Sequence, residues 1–98
     1  MYQLQQTDAF EKWLAGLGDK KAKARILARF DSIRLGDLGD WKAIGSRLRE
    51  LRIHTGPGYR VYFVQRQNVV ILLLCGGSKA TQARDIERAR RLLKEIEE

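Results

Sequence analysis

The run Val69-Val70-Ile71-Leu72-Leu73-Leu74-Cys75 sets the terms for the whole chain. Its apolar residues follow one another without alternation, between the turn-forming Gln67-Asn68 and the breaker Gly76-Gly77. A strand with one wet face would alternate. This one has no face to give to water, so it is expected at the centre of a sheet, covered on both sides. It is far too short for a membrane helix, which needs roughly 18 apolar residues. The rest of the chain has to build a sheet around it and cover that sheet.

The N-terminal part supplies helices. Tyr2 to Gln6 reads as a short edge strand, after which Thr7 or Asp8 caps a helix to about Leu14, with Phe10, Trp13 and Leu14 on one side. Gly16-Leu17-Gly18 breaks it. Asp19 caps a second helix, about Lys20 to Leu35, whose Ala22, Ile26, Phe30 and Ile33 share one face. Lys20, Lys21, Lys23, Arg25 and Arg29 cover much of the remainder, and Gly36 and Gly39 close this helical hairpin.

From Trp41 the period becomes that of strands: Trp41 to Ile44, Leu48 to His54, Tyr59 to Gln65, then the apolar run. Gly45-Ser46 and Gln67-Asn68 are turns. Gly76-Gly77 is expected to release the chain into a last helix, capped by Ser78 or Thr81 and reaching about Ile96. Ile86, Ala89, Leu92, Leu93 and Ile96 form its inner side. The order predicts one α+β domain over residues 1–98. An N-terminal strand and helical hairpin pack on a mainly antiparallel sheet of four to five strands, closed by a C-terminal helix.

The chemistry gathers on Glu50-Leu51-Arg52-Ile53-His54-Thr55-Gly56-Pro57-Gly58-Tyr59-Arg60-Val61-Tyr62-Phe63. A three-residue Gly-Pro-Gly loop would pair Thr55 with Tyr59, His54 with Arg60 and Arg52 with Tyr62. Glu50, Arg52, His54, Arg60 and Tyr62 then share one face, and Leu51, Ile53, Tyr59, Val61 and Phe63 the other. The apolar face fits the core beneath the two helices. A one-residue slip would put Arg60 into that core unpaired. The polar face suits phosphoryl transfer on RNA. Guanidiniums bind phosphate and stay charged, imidazole titrates near neutrality, and 2′-hydroxyl attack needs charge stabilisation and proton transfer. The plainer alternative is a solvated sheet face with a structural histidine.

A second candidate is Cys75-Gly76-Gly77-Ser78-Lys79-Ala80-Thr81-Gln82-Ala83-Arg84-Asp85, where a strand meets a helix and an anion could find free N–H groups. Lys79 could reach the phosphate bound by the hairpin. The segment is not a P-loop, which needs GxxxxGK[ST], and a glycine turn with a surface lysine reads it as well. Arg84, Arg88, Arg90, Arg91 and Lys94 alternate with Glu87, Glu95, Glu97 and Glu98, as on an ordinary salt-bridged helix surface.

Composition narrows the partner. Nineteen Lys and Arg against twelve Asp and Glu give a formal charge of +7. This favours RNA, DNA, an acidic protein or a membrane surface, without choosing among them. The lone Cys75 forbids an intramolecular disulfide, and with the lone His54 it falls short of a zinc site. No metal or other cofactor is expected. Met1 to Gln6 lacks a signal-peptide core, so the cytoplasm is the expected compartment.

The chain resembles the RelE/ParE toxin superfamily, and within it the HigB-like addiction-module killer proteins, or phage Gp49-like proteins. The resemblance runs from Phe10-Glu11-Lys12-Trp13-Leu14 to the terminal helix. It rests on Leu35-Gly36-Asp37-Leu38-Gly39-Asp40-Trp41-Lys42, on the hairpin, and on Leu74-Cys75-Gly76-Gly77-Ser78-Lys79-Ala80-Thr81-Gln82. It implies a RelE-like fold and metal-free cleavage of messenger RNA in the ribosomal A site. It also implies a cognate antitoxin, commonly a helix-turn-helix HigA-like protein through which operator DNA is bound, and no membrane partner. By position the resemblance implies that Arg60 matches the phosphate-holding strand arginine, with Arg52 and Lys79 at or near further basic site positions. Such nucleases can carry a tyrosine near the C-terminus. Here Gln82 and Asp85 stand in that region, which leaves His54 and Asp85 as candidates for general acid and base. Tyr62, Gln82, Arg84 and Lys42 are the expected RNA contacts. A ParE-like gyrase inhibitor and a non-catalytic nucleic-acid-binding module are the alternatives.

Overall fold

In the computed structural model, which describes residues 1–97, the apolar run from Val70 to Cys75 forms the first part of a nine-residue strand buried from Val70 to Gly77, and Val69 lies exposed before it. Five strands make one sheet: β1 (Gln3–Gln6), β2 (Trp41–Ala43), β3 (Arg49–Ile53), β4 (Tyr59–Arg66) and β5 (Val70–Ser78). Their order is β1-β5-β4-β3-β2, with β1 parallel to β5 and all other neighbours antiparallel. Helices α1 (Asp8–Ala15) and α2 (Lys20–Arg34) cover one face, and α3 (Gln82–Glu97) covers part of the other. No helix among the described residues is long and apolar enough to cross a membrane.

Two cores follow from this layering. On the first face Phe10, Ile26, Phe30 and Ile33 meet Leu51, Val61, Phe63, Ile71 and Leu73. On the second, Ala89 and Leu93 of α3 meet Leu48, Tyr62, Val64, Leu72 and Leu74. Each fully buried side chain of this size contributes about 1.5–3 kcal/mol. The first two helix starts are those the sequence indicates. Thr7 Oγ1 accepts the Phe10 N–H at 3.0 Å and donates to the Leu74 carbonyl at 2.6 Å, so one hydroxyl caps α1 and ties it to β5. Asp19 accepts the Ala22 N–H at 3.0 Å and caps α2.

Period-two alternation cannot put Leu72, Leu74 and Cys75 on one side, yet all three face α3. A bulge resolves this. Tyr62 pairs with Cys75 but Phe63 with Leu73, which leaves Leu74 as an extra residue on β5. Beyond the bulge, Gly76 and Gly77 are strand residues and do not release the chain. A Cβ at Gly76 would lie 2.6 Å from the Trp13 ring, and one at Gly77 would overlap the Asp85 carboxylate. Both positions let a helix side chain lie against bare backbone.

Two other expectations are corrected. The last helix begins at Gln82 after a 3₁₀ turn over Lys79–Thr81, and the Ser78 side chain makes no capping bond. The Thr81 hydroxyl instead lies 2.5 Å from Asp85 Oδ2. The β3–β4 loop holds five residues rather than three: Ile53 pairs with Tyr59, Arg52 with Arg60 and Glu50 with Tyr62. The Thr55–Gly58 turn closes by itself, with the Gly58 N–H on the Thr55 carbonyl at 3.0 Å and Gly56 and Gly58 at φ of 57° and 85°. The shift is two residues, so side-chain parity along both strands survives.

Candidate functional site

Parity puts Glu50 and Arg52 of β3 and Arg60 and Tyr62 of β4 on the face covered by α3. That face is not an open polar surface. The first turn of α3 descends onto it, and a seam of polar groups is enclosed between strand and helix. The Glu50 side chain is fully buried, with Oε1 accepting from Arg52 Nε at 3.3 Å and Oε2 from Gln82 Nε2 at 2.7 Å. One carboxylate therefore fixes an arginine of the sheet and the first residue of α3. Asp85 is buried above Gly77, the residue opposite Arg60, and is held by Thr81.

Arg60 is the unbalanced member. It is 92 % buried, being 8 % exposed, and its Nε has no hydrogen-bond partner. Among the described residues it forms no ion pair. Directly opposite stands Arg52, so two guanidinium side chains start from one cross-strand pair. Like charges placed so are destabilising, and Glu50 answers only Arg52. Glu50 is bonded to Arg52 and Gln82, and Asp85 to Thr81, so neither carboxylate of the seam is bonded to Arg60 among the described residues.

The other expected residues divide. Lys79 is exposed at the rim, its N–H on the Gly58 carbonyl at 2.9 Å. Arg84 is exposed beside Asp85, and Lys42 is exposed on β2 opposite Glu50. Tyr62, expected to touch RNA, is completely buried, and its hydroxyl has no hydrogen-bond partner. Burial first, and the nearby Glu50 charge second, push that phenol far above its ordinary pKa. Tyr62 is a core residue with no surface to offer.

His54 leaves the seam altogether. With the longer loop it lies beyond the end of β3 and lines a cleft on the α2 side with Arg25, Arg29 and Ser32. There Nε2 meets Asp40 Oδ2 at 2.6 Å, and that hydrogen bond holds the Asp40 carboxyl below its ordinary pKa. Beside it, Arg29 donates to the carbonyls of Arg52 (2.6 Å), Leu38 (2.7 Å) and Asp40 (3.2 Å), clamping the loop before β2 to β3. Burial lowers the Arg29 pKa. Cys75 is buried, with its thiol pushed up to about 11 by burial, as suits a core residue. Sequence reasoning placed Glu50 on the polar face without giving it a role. Its spacing of two from Arg52 was the available signal, but its bond to Gln82 depends on a helix far along the chain.

Comparison with known proteins adds four findings. Residues 12–94 match the family described as Phage derived protein Gp49-like. An uncharacterised protein of Haemophilus influenzae is 43% identical over 94 residues, covering 96% of this chain and 95% of that protein. Among solved structures, a chain of the intact E. coli RelBE toxin–antitoxin complex superposes with a TM-score of 0.65 at 16% identity, over 80% of this chain and 96% of its own. HP0894 of Helicobacter pylori gives a TM-score of 0.50 at 18% identity, over 82% and 97%. The fold expected from the sequence is therefore the fold observed, a RelE-like α+β architecture with a C-terminal helix.

Proposed function

Because this chain belongs to the Phage derived protein Gp49-like family, we propose that it is the toxin of a toxin–antitoxin pair and that it cuts messenger RNA on the ribosome. The observation that carries this reading is Arg60: a residue nine-tenths buried, with its Nε unpartnered, opposite a second arginine and in no ion pair among the described residues. A phosphodiester supplies the missing charge, and the guanidinium fork suits its oxygens.

In the proposed reaction the 2′-hydroxyl loses its proton and its oxygen bonds to phosphorus. The bond from phosphorus to the 5′-oxygen breaks, and that oxygen takes a proton. Arg60 and Arg52 offset the charge that grows on the non-bridging oxygens. Lys79, at the rim, approaches the same phosphate from the tip of the hairpin. Asp85 and Gln82 are the proton-handling and positioning groups nearest the seam on α3. Glu50 holds Arg52 and Gln82 in place. His54, on the other side of the hairpin, has no part in this scheme. Lys42 and Arg84 flank the seam as RNA contacts. The antitoxin, a helix-turn-helix HigA-like protein in this reading, silences the toxin by covering the seam and carries any contact with operator DNA. Action on the ribosome places the protein in the cytoplasm.

The test is in vitro translation with primer-extension mapping of the message, run with wild type and Arg60→Ala. Cuts within codons, present with wild type and absent with a folded Arg60→Ala, are expected. An intact message with wild-type protein refutes the nuclease and shifts the weight to a gyrase-directed toxin or a non-catalytic binding module.

A further inference from the structure

The cleft on the α2 side has a volume of about 290 Å³ and takes its walls from Arg25, Ala28 and Ser32 of α2 and from Arg52, His54 and Thr55 of the hairpin. Its charge is positive. Arg25 makes no ion pair among the described residues, and Arg29 keeps its charge while bonding only to carbonyls. Asp40, the carboxylate lining the cleft, is already bonded to His54. Ala28 and Ile53 give the same cleft an apolar part. A cation beside an apolar wall, in a space near the lower limit of small-molecule pockets of about 300 Å³, fits one nucleotide: phosphate on Arg25 beside His54, whose Nε2 stays on Asp40, and base or sugar on the exposed Ala28.

The cleft and the seam lie on opposite faces of the sheet and share one residue. Arg52 borders both, with its carbonyl held by Arg29 on the α2 side and its guanidinium bonded to Glu50 on the α3 side. Around the tip of the hairpin the path is also basic. Lys79 is fastened to Gly58, and Lys21 is exposed one helical turn before Arg25. Asp19 is the carboxylate at this tip, and both its oxygens are engaged, one by the Ala22 N–H and one by the Tyr59 hydroxyl at 3.1 Å.

We propose that this cleft is a second RNA subsite, and that a strand whose scissile phosphate lies at Arg52 and Arg60 continues round the hairpin tip past Lys79 and Lys21 into it. The inference rests on the reading of the seam as a phosphate site. It assigns His54, Lys21 and Arg25 to holding substrate rather than to chemistry.

Binding of single-stranded RNA carrying 2′-O-methyl groups, which cannot be cut, tests it. A trimer reports the seam, and a dodecamer the seam and the cleft. The Lys21→Ala/Arg25→Ala double variant keeps a good helix former at both exposed positions, and circular dichroism checks its fold. Each phosphate contact contributes about 0.7 to the slope of log K against log salt on single strands. The double variant should therefore bind the trimer like wild type and lose about 1.4 from the dodecamer slope. Between 0.05 and 0.2 M salt, its affinity for the dodecamer should then fall roughly sevenfold less than that of wild type. His54→Gln should weaken the dodecamer alone. Equal dodecamer slopes in wild type and double variant overturn the proposal and leave these cations to an acidic protein partner. Absence of dodecamer binding by wild type overturns it too. Arg60→Ala judges the seam separately. Trimer binding and cleavage that vanish with it, while the α2 variant changes nothing, sink the second subsite and keep the nuclease. An α2 effect on the dodecamer in a protein that makes no cuts keeps the surface and sinks the nuclease.

Discussion

Gly77→Ala should destabilise this protein far more than an ordinary strand substitution. The backbone there is extended and accepts alanine, so the cost comes only from what the methyl group meets. It would overlap Asp85 Oδ2, lie 2.7 Å from Asp85 Cγ and stand 3.0 Å from Thr81 Oγ1. Asp85 cannot yield cheaply, because it is buried and bonded to Thr81. Either the first turn of α3 lifts off the sheet, an overpacking cost of about 1–3 kcal/mol, or the carboxylate swings away and loses a charged hydrogen bond, costing about 1.5–3 kcal/mol. Partial recourse to both gives about 3 kcal/mol, a large share of the roughly 5–15 kcal/mol that holds a domain together. For a chain of this size that lowers the thermal midpoint by roughly 12–24 °C.

Urea unfolding followed by circular dichroism and by Trp13 and Trp41 fluorescence measures the cost. The decisive comparison is the same substitution in an Asp85→Ala background, where the obstacle is gone. Gly77→Ala should there cost about 1 kcal/mol or less, a coupling of about 2 kcal/mol between the two sites. A cost below about 1 kcal/mol in the wild-type background, or the same cost in both, would show that α3 does not rest on Gly77 in the way described.

Three further outcomes are expected. The Cys75 thiol, buried and raised to about 11, should resist a thiol reagent at pH 8 in the native protein and react at once in urea; native-state labelling within minutes would refute its burial. Asp40 and Asp19 both have lowered folded-state pKa values, from the His54 and the Ala22 N–H hydrogen bonds respectively, so their contribution to stability is present above the unfolded-state value of about 4 and is lost as pH falls through the lower folded values. The Asp19→Asn/Asp40→Asn double variant should accordingly show a flatter acid limb in a plot of thermal midpoint against pH. Glu50→Ala should cost about 2 kcal/mol, less than a fully buried pair because Arg52 is partly solvated, and should speed amide exchange in the first turn of α3 if Gln82 is held as described.

What could be read from the sequence was whatever depends on period and parity. Val70–Leu74 has no polar partner within its run, so its central place followed from hydrophobic burial alone. The face assignment of Arg52, Arg60 and Tyr62 followed from alternation, and it survived a two-residue error in the loop because strand parity repeats every two residues. His54 had no such protection. It stood at the strand end, where one more unpaired residue decides between ladder and loop, and the Thr55–Gly58 turn decided for the loop. Gly76-Gly77 misled for a related reason. Paired glycines usually signal a break, and only the approach of Trp13 and Asp85 from opposite faces makes them strand residues.

The same layering explains why the polar face became a seam. A helix with Ile86, Ala89 and Leu93 on one side must find an apolar surface, and the second core from Leu48 to Cys75 is that surface. Once α3 docks there, its first turn is carried over the charged end of β3 and β4. Glu50 and Asp85 find partners on the spot, in Arg52, Gln82 and Thr81. Arg60 forms no ion pair among the described residues, yet it cannot turn to the other face, which the first core fills with Val61 and Phe63. Removing its charge while keeping its length, as in Arg60→Met, should therefore leave the protein as stable as wild type or more so in the absence of RNA, because a buried cation without an anion costs more than a thioether in the same space. Marked destabilisation of Arg60→Met in urea would mean that Arg60 is satisfied by the protein itself, and the argument for a phosphate ligand would fail.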